Sequence, residues 1–246
     1  MKAFRIAALA AFSLFLALPV RAAGPAEAKG DMAAYRQSIF EAAVKKPGYQ
    51  RRLMPIDTKA RFVTVATLTY KHRAPVDGST KGRFGRDGDG RLKYATWVSL
   101  PSESRAACRR AKDPVRALEQ ILGMPPAAGD WEIVQFDVAP RHIFRPCASS
   151  PDIDTPHCTF DMPAPHGSKA ERRAIEEARL FVLGQMWTSF DRGFKSPGYP
   201  FTGMGWTYNW DPASKDHFGI SEYVVKAGAP VRNVRVFTPA AYCRDG

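Results

Sequence analysis

Four cysteines behind an export leader constrain the fold more than any other feature of this sequence. The leader, residues 1–22, has two cations among its first five residues, an apolar run from Ile6 to Val20 and a small residue at Ala22. These are the three parts of a secretory signal peptide, and the apolar run is too short to span a bilayer stably. We therefore expect cleavage after Ala22 or one residue later. Residues 23–246 are then exported to the periplasm or the extracellular space.

All the cysteines follow the leader, so an even number of them enters an oxidising compartment. Two disulfides are expected there. Three pairings are possible, and the sequence does not choose among them. We favour a short loop closed by Cys147 and Cys158, with Cys108 and Cys243 joining distant parts of the chain.

A zinc site is the alternative use of these thiols, because five potential ligands lie in one stretch: His142, Cys147, His157, Cys158 and His166. No paired C-x-x-C motif accompanies them, and export favours oxidation over metal capture. A disulfide would also remove the free thiolate that a catalytic cysteine needs. We therefore expect no metal site and no cysteine nucleophile.

Hydrophobic spacing and end signals predict about three helices. Their predicted bounds are Asp31 to Pro47, Asp113 to Gly123 and Ser168 to Gly193. The second has Asp113 as its N-cap, and the third opens with a capping box formed by Ser168 and Glu171. The predicted buried side of the third helix contains Ala174, Ala178, Phe181, Leu183, Met186, Trp187 and Phe190.

Runs of β-branched and aromatic residues predict strands between these helices. The runs are Arg61 to Tyr70, Leu92 to Leu100, Trp131 to Val138, Ser221 to Lys226 and Val231 to Thr238. Their spacing is not that of regular βαβ repeats. We predict one α+β domain over residues 23–246, with a mixed or antiparallel sheet and disulfide staples.

The formal net charge of +12 favours an acidic partner. Lysine and arginine are scattered along the chain, so we expect attraction to an anionic envelope component or protein target rather than specific nucleic-acid binding. After the leader, no segment approaches the roughly 20 apolar residues of a membrane helix. Motifs of serine hydrolases, zinc proteases and nucleotide-binding loops are absent from the sequence.

An aromatic and glycine-rich segment, Tyr199 to Trp210, has two interpretations. Trp206, Tyr208 and Trp210 alternate as on one face of a strand. Such a face is either part of the core or a platform that stacks on a ligand, and we include these three residues as candidate ligand-binding residues.

Three polar residues stand at strand ends: Arg73 follows an early strand, Ser99 ends the second strand, and Glu222 opens a late one. This order resembles that of bacterial ADP-ribosyltransferase toxins, in which an arginine, a serine or threonine motif and a glutamate line a cleft for NAD. The resemblance implies that Arg73 binds the NAD phosphates, Ser99 orients Glu222, and Glu222 stabilises the cationic ribose as nicotinamide leaves. Ile220 differs from the glutamine or glutamate that the family often has two positions before the catalytic glutamate.

These observations lead to two functional hypotheses. The first is an exported toxin or effector with NAD as substrate and Glu222 as an exposed catalytic carboxylate. The alternative is a non-enzymatic cell-envelope binding or inhibitor protein that recognises an anionic ligand.

Overall fold

The computed structural model describes residues 26–44, 48–70, 89–126, 131–190 and 198–244. They form an α+β fold in which every pair of strands is antiparallel. The helices are α1 (Ala26–Ala43), α2 (Pro101–Cys108), α3 (Pro114–Ile121), α4 (Lys169–Phe190) and α5 (Pro239–Arg244). The strands are β1 (Val63–Tyr70), β2 (Thr96–Val98), β3 (Trp131–Val138), β4 (Ile143–Phe144), β5 (Trp206–Tyr208), β6 (Phe218–Ser221), β7 (Tyr223–Val225) and β8 (Val231–Phe237).

The predicted leader, residues 1–22, and the candidate Arg73 lie outside the described residues. Within the described ranges, no helix combines the length and the apolar character needed to cross a membrane.

A first sheet has the strand order β1-β3-β8. Strands β1 and β3 pair over their whole length, from Val63 with Val138 to Tyr70 with Trp131. Side chains alternate between the two faces of a strand, so Val134 and Phe136 point into the largest core cluster while Ile133 packs on the opposite face. Both faces of the central strand β3 therefore pack against other elements.

A second sheet, in the order β2-β7-β4, continues from the first. The joint is a backbone bridge in which Ala66 of β1 and Ser99 exchange two hydrogen bonds of 2.9 Å. The predicted strand from Ser221 to Lys226 is broken at Glu222: β6 ends just before it and pairs with β5, whereas β7 starts just after it and pairs with β2 and β4. Glu222 therefore lies where the chain passes from one sheet to another.

Helices α2, α3 and α5 cover the outer face of the first sheet, where Leu118, Tyr242 and the Cys108–Cys243 disulfide form a second core cluster. The predicted cap of α3 is confirmed, because Asp113 accepts hydrogen bonds from the backbone of Val115 at 3.0 Å and Arg116 at 3.1 Å. Helix α2 was not predicted. Its first residue, Pro101, looked like the end of a strand, but proline is also favoured at the first position of a helix.

One of the two long helices begins where the sequence predicted, and the other begins earlier. Helix α1 begins at Ala26, five residues before the predicted cap, because Ala, Glu and Lys are good helix formers; Asp31 instead binds Arg116 at 2.7 Å. The capping box of α4 is confirmed, with Glu171 accepting from the backbone of Ser168 at 2.6 Å.

The predicted buried side of α4 is only partly correct. Ala178 and Val182 are buried at a spacing of four residues, whereas Leu183 is 48% and Trp187 75% exposed. Ala174 is exposed as well, and the predicted end of this helix at Gly193 lies outside the described residues. Leu183 and Trp187 therefore belong to the neighbouring, solvent-facing side of the helix.

Both favoured disulfides are present. Cys108 pairs with Cys243 and Cys147 pairs with Cys158, across sequence separations of 135 and 11 residues. No cysteine in the described part of the chain remains free to bind zinc.

Replacing both Cys108 and Cys243 with serine should lower the free energy of unfolding by about 4 kcal/mol, because the crosslink closes a long loop of the unfolded chain. Urea denaturation measures this loss. The matched control is Ala107→Ser, an exposed position on the same helix, which should change the free energy little. Equal stabilities for the double variant and the control would contradict a stabilising role for this disulfide.

Candidate functional site

Two of the three predicted catalytic residues lie at the same end of the β2–β7 pair. In that pair Val98 is opposite Tyr223, and Ser99 and Glu222 are the next residues on the two strands. Ser99 is 5% and Glu222 8% exposed, so the expectation of an exposed carboxylate is wrong. Arg73 lies outside the described residues, and its distance from the pair is not defined by them.

Arg145 is the central residue of a buried charged cluster beside Glu222. It directly follows β4, is fully buried, and stacks its guanidinium over the ring of Tyr223, 4.7 Å from the ring centroid. Electrostatic interactions couple Arg145 to both Glu222 and Glu103. One cation thus lies near two carboxyl groups inside the protein.

Backbone carbonyls hold Arg145 in place. Its Nη2 donates to Met54 at 2.9 Å and to Ile153 and Thr155 at 3.2 Å, and its Nε donates to Asp152 at 3.2 Å. Three of these four acceptors lie inside the loop that the Cys147–Cys158 disulfide closes. Oxidation therefore fixes the shell of carbonyls that receives the guanidinium.

Gly205 makes room for this arginine. Its φ of +71° is a left-handed conformation that favours glycine, and a Cβ built there would lie 2.7 Å from Cδ of Arg145. The Gly205 carbonyl also accepts a 3.0 Å hydrogen bond from the backbone of Glu222. Gly205, which lies in the predicted aromatic segment, therefore contacts both Arg145 and Glu222.

The carboxyl group of Glu222 has an unusual environment. Burial raises its pKa from 4.5 to about 8, and Arg145 opposes that rise. Its Oε1 is buried without a hydrogen-bond partner among the described residues. Carboxyl groups that have a strongly shifted pKa and lie beside a specific charge are concentrated at functional sites. Glu222 is therefore the best candidate for a functional residue among those described.

Glu103, in the first turn of α2, was not a predicted site residue. Its Oε1 accepts hydrogen bonds from the backbone N–H of Ser221 at 3.1 Å and from the Ser221 hydroxyl at 3.0 Å. Burial raises its pKa, while the bonds from Ser221 and the charge of Arg145 oppose the rise. Its Oε2 and Nη1 of Arg145 are both buried without a partner in the described ranges.

The sequence contains weak signals for these two additional residues. Arg145 is a lone cation among apolar neighbours and stands two positions before Cys147, and Glu103 follows a proline at a strand end. Neither signal indicates a partner, because the partners lie far away in the sequence.

The three predicted ligand-binding aromatics belong to the core in this structure. Trp206, Tyr208 and Trp210 are each at most 2% exposed. The Nε1 of Trp206 donates to Tyr49 at 3.2 Å, and the hydroxyl of Tyr208 donates to Glu41 at 2.5 Å. Their ligand-binding role stays a prediction and requires this core to open.

A cleft of about 540 Å³ lies between α4, β4 and the Cys147–Cys158 loop. Phe144 and Phe181 contribute apolar surface, and the exposed cations Arg141 and Lys226 line the same cleft. Acidic residues are also present: Glu177, paired with Arg173 at 2.8 Å, and Asp152 and Asp154 of the loop. The volume is that of a typical small-molecule site.

Over the described ranges, no group of three or more His, Cys, Asp and Glu side chains is arranged to hold a metal ion. Comparisons with protein-family models, curated proteins and solved structures gave no significant match to this chain.

Stability should depend on pH through Glu222. The folded pKa of about 8 lies above the value of 4.5 for an unburied group, so the unfolded chain releases this proton first as the pH rises. The free energy of unfolding should therefore fall between these two pH values, by up to about 1.4 kcal/mol per pH unit. Denaturation of the wild-type protein and of Glu222→Gln across this range measures the effect.

Glu222→Gln carries no titrating group and should be less sensitive to pH than the wild type. The control Glu177→Gln removes an exposed carboxylate and should keep the wild-type slope. An unchanged slope in Glu222→Gln would contradict a raised pKa for Glu222.

Proposed function

We propose that the chain is an exported enzyme of the ADP-ribosyltransferase type with NAD as its substrate. The observation that carries this proposal is the pairing of β2 with β7, which brings Ser99 and Glu222 to one end of the same ladder. The environment of Glu222, a buried carboxyl group beside Arg145, adds support. In the toxins that the sequence resembles, a serine or threonine motif and a glutamate line one cleft.

The proposed chemistry requires little more than a well-placed negative charge. The bond between the nicotinamide nitrogen and C1′ of the ribose breaks, and nicotinamide leaves with the electron pair. Ionised Glu222 stabilises the cationic ribose that remains. Water or an acceptor side chain then attacks C1′ and releases a proton to solvent, which balances the reaction.

The burial of Glu222 adds a requirement. Since Glu222 is 8% exposed, NAD can reach its carboxyl group only if the groups that cover it move. The proposed phosphate ligand, Arg73, lies outside the described residues. The proposals of export and of a toxin role depend on the predicted leader. The two disulfides are consistent with an oxidising compartment.

Glu222→Gln should lower the rate of nicotinamide release from NAD by about 100-fold or more, because removing a single group that stabilises transition-state charge has effects of this size. Ser99→Ala should cause a smaller loss, since its proposed role is orientation. Chromatography of the released nicotinamide, with and without acceptor proteins, measures both rates.

Glu176→Gln, which removes an exposed carboxylate outside the cleft, is the control and should retain full activity. The proposal fails if wild-type protein releases no nicotinamide above the buffer rate, or if Glu222→Gln is as active as the control.

The cleft beside α4 supports a second candidate function, the binding of an anionic ligand without catalysis. Arg141 and Lys226 line this cleft, and neither makes a side-chain hydrogen bond or ion pair within the described part of the chain. Apolar surface from Phe144 and Phe181 adjoins the cations. An anionic lipid of the cell envelope would place its headgroup against Arg141 and Lys226 and its acyl chains against the two phenylalanines, with Asp152 and Asp154 of the same cleft opposing the attraction.

Replacing Arg141 and Lys226 together with glutamate should abolish binding to phosphatidylglycerol vesicles, because the cleft then repels the headgroup. Vesicle co-sedimentation measures the binding, which should weaken as salt is added. Lys215→Glu, an equal reversal at an exposed position outside the cleft, is the control. Equal binding by the double variant and the control would exclude the cleft as the site.

A further inference from the structure

A half-buried and a buried carboxyl group share one buried cation. Glu103 on α2 and Glu222, between β6 and β7, both interact electrostatically with Arg145. Tyr223, the first residue of β7, faces Arg145 and is also close enough to Glu103 to interact with it. Among the described residues, Arg145 is thus the charged group that acts on Glu222, and Glu103 and Tyr223 act on Arg145.

The two carboxyl groups differ in hydrogen bonding. Glu103 receives two hydrogen bonds from Ser221, and the Ser221 hydroxyl in turn accepts from the backbone of Met54 at 2.8 Å. Glu222 has a buried Oε1 without a partner in the described residues. Hydrogen bonds donated to a carboxyl group stabilise its ionised form, so Glu103 should lose its proton at lower pH than Glu222.

One positive charge compensates one carboxylate. When Glu103 is ionised, Arg145 is already balanced, and a second buried negative charge on Glu222 would have no counterion. The bonds from Glu103 also fix Ser221, the residue directly before Glu222. Glu103 therefore acts on Glu222 in two ways, through the backbone and through the shared arginine.

We propose that Glu103 is a positioning residue for Glu222: it holds Ser221 from the start of α2 and neutralises Arg145, so that Glu222 keeps its proton until a cationic group binds beside it. In the proposed reaction, the positive nicotinamide ring of NAD is such a group. Its arrival favours ionisation of Glu222, and the proton passes to solvent. This role rests on the proposed function, but the charge coupling within the cluster does not depend on it.

The test is a pH titration of the two carboxyl carbons by NMR of protein labelled at the glutamate side chain. In the wild type, Glu103 should titrate at lower pH than Glu222. In Glu103→Gln, the amide still accepts from Ser221 but the charge is gone, so Arg145 is free to stabilise ionised Glu222. The pKa of Glu222 should then fall by about 1 unit or more.

Two further variants separate charge from packing. Ser221→Ala keeps both carboxyl groups and the arginine and should leave the pKa of Glu222 nearly unchanged. Glu176→Gln removes an exposed carboxylate that does not line the cleft and should have no effect. If Glu222 titrates before Glu103 in the wild type, or if Ser221→Ala shifts Glu222 as much as Glu103→Gln does, the proposal is overturned.

Catalysis gives a separate measurement. In Glu103→Gln, the rise of NAD hydrolysis with pH should shift to lower pH by the same amount as the NMR titration. Absence of NAD hydrolysis in the wild type would refute the proposed function while leaving the NMR result to decide the coupling. An NMR shift without a matching shift of the rate profile would show that Glu103 does not position Glu222 for this reaction.

Discussion

The burial of Arg145 is the interaction on which the rest of this structure depends. A guanidinium removed from water is costly unless hydrogen bonds and opposite charges replace its hydration. Here carbonyls of Met54, Ile153 and Thr155 accept the hydrogen bonds, and the carboxyl group of Glu103 provides the opposite charge. Segments far apart in the sequence thus converge on one side chain. Loss of Glu103 would leave the charge of Arg145 without its counterion in the interior, so the packing of the fold and the charge balance of the site depend on the same residues.

Local signals in the sequence predicted the parts of the fold that local chemistry determines. The cap at Asp113 and the capping box at Ser168 each involve residues two or three positions apart, and both are present. The disulfide pairing was favoured from the spacing of the cysteines and the leader. The α+β class followed from the order of apolar runs, which responds to burial on a single face.

Non-local contacts explain what the sequence did not predict. Arg145 and Met54 are 91 positions apart, and Ser221 and Glu103 are 118 apart, so no pattern within a short window reveals them. The exposed side of α4 was mistaken for its core because Leu183 and Trp187 are apolar. Burial of Glu222 arises from its position between two sheets, which is a property of topology. Glu222 was selected as a site residue only because it follows Arg73 and Ser99 in the chain order that resembles the toxins.

The Cys108–Cys243 crosslink has a consequence for the order in which the two disulfides can form. A protein is synthesised from its N-terminus, so Cys147 and Cys158 are both available before Cys243 has been made. Cys108 must wait until 135 further residues have arrived. Helix α2, which carries Glu103 at its start and Cys108 at its end, is therefore secured last. A chain lacking its last residues would retain the Cys147–Cys158 loop that holds Arg145 but would lose the crosslink at the end of α2, the helix that carries Glu103.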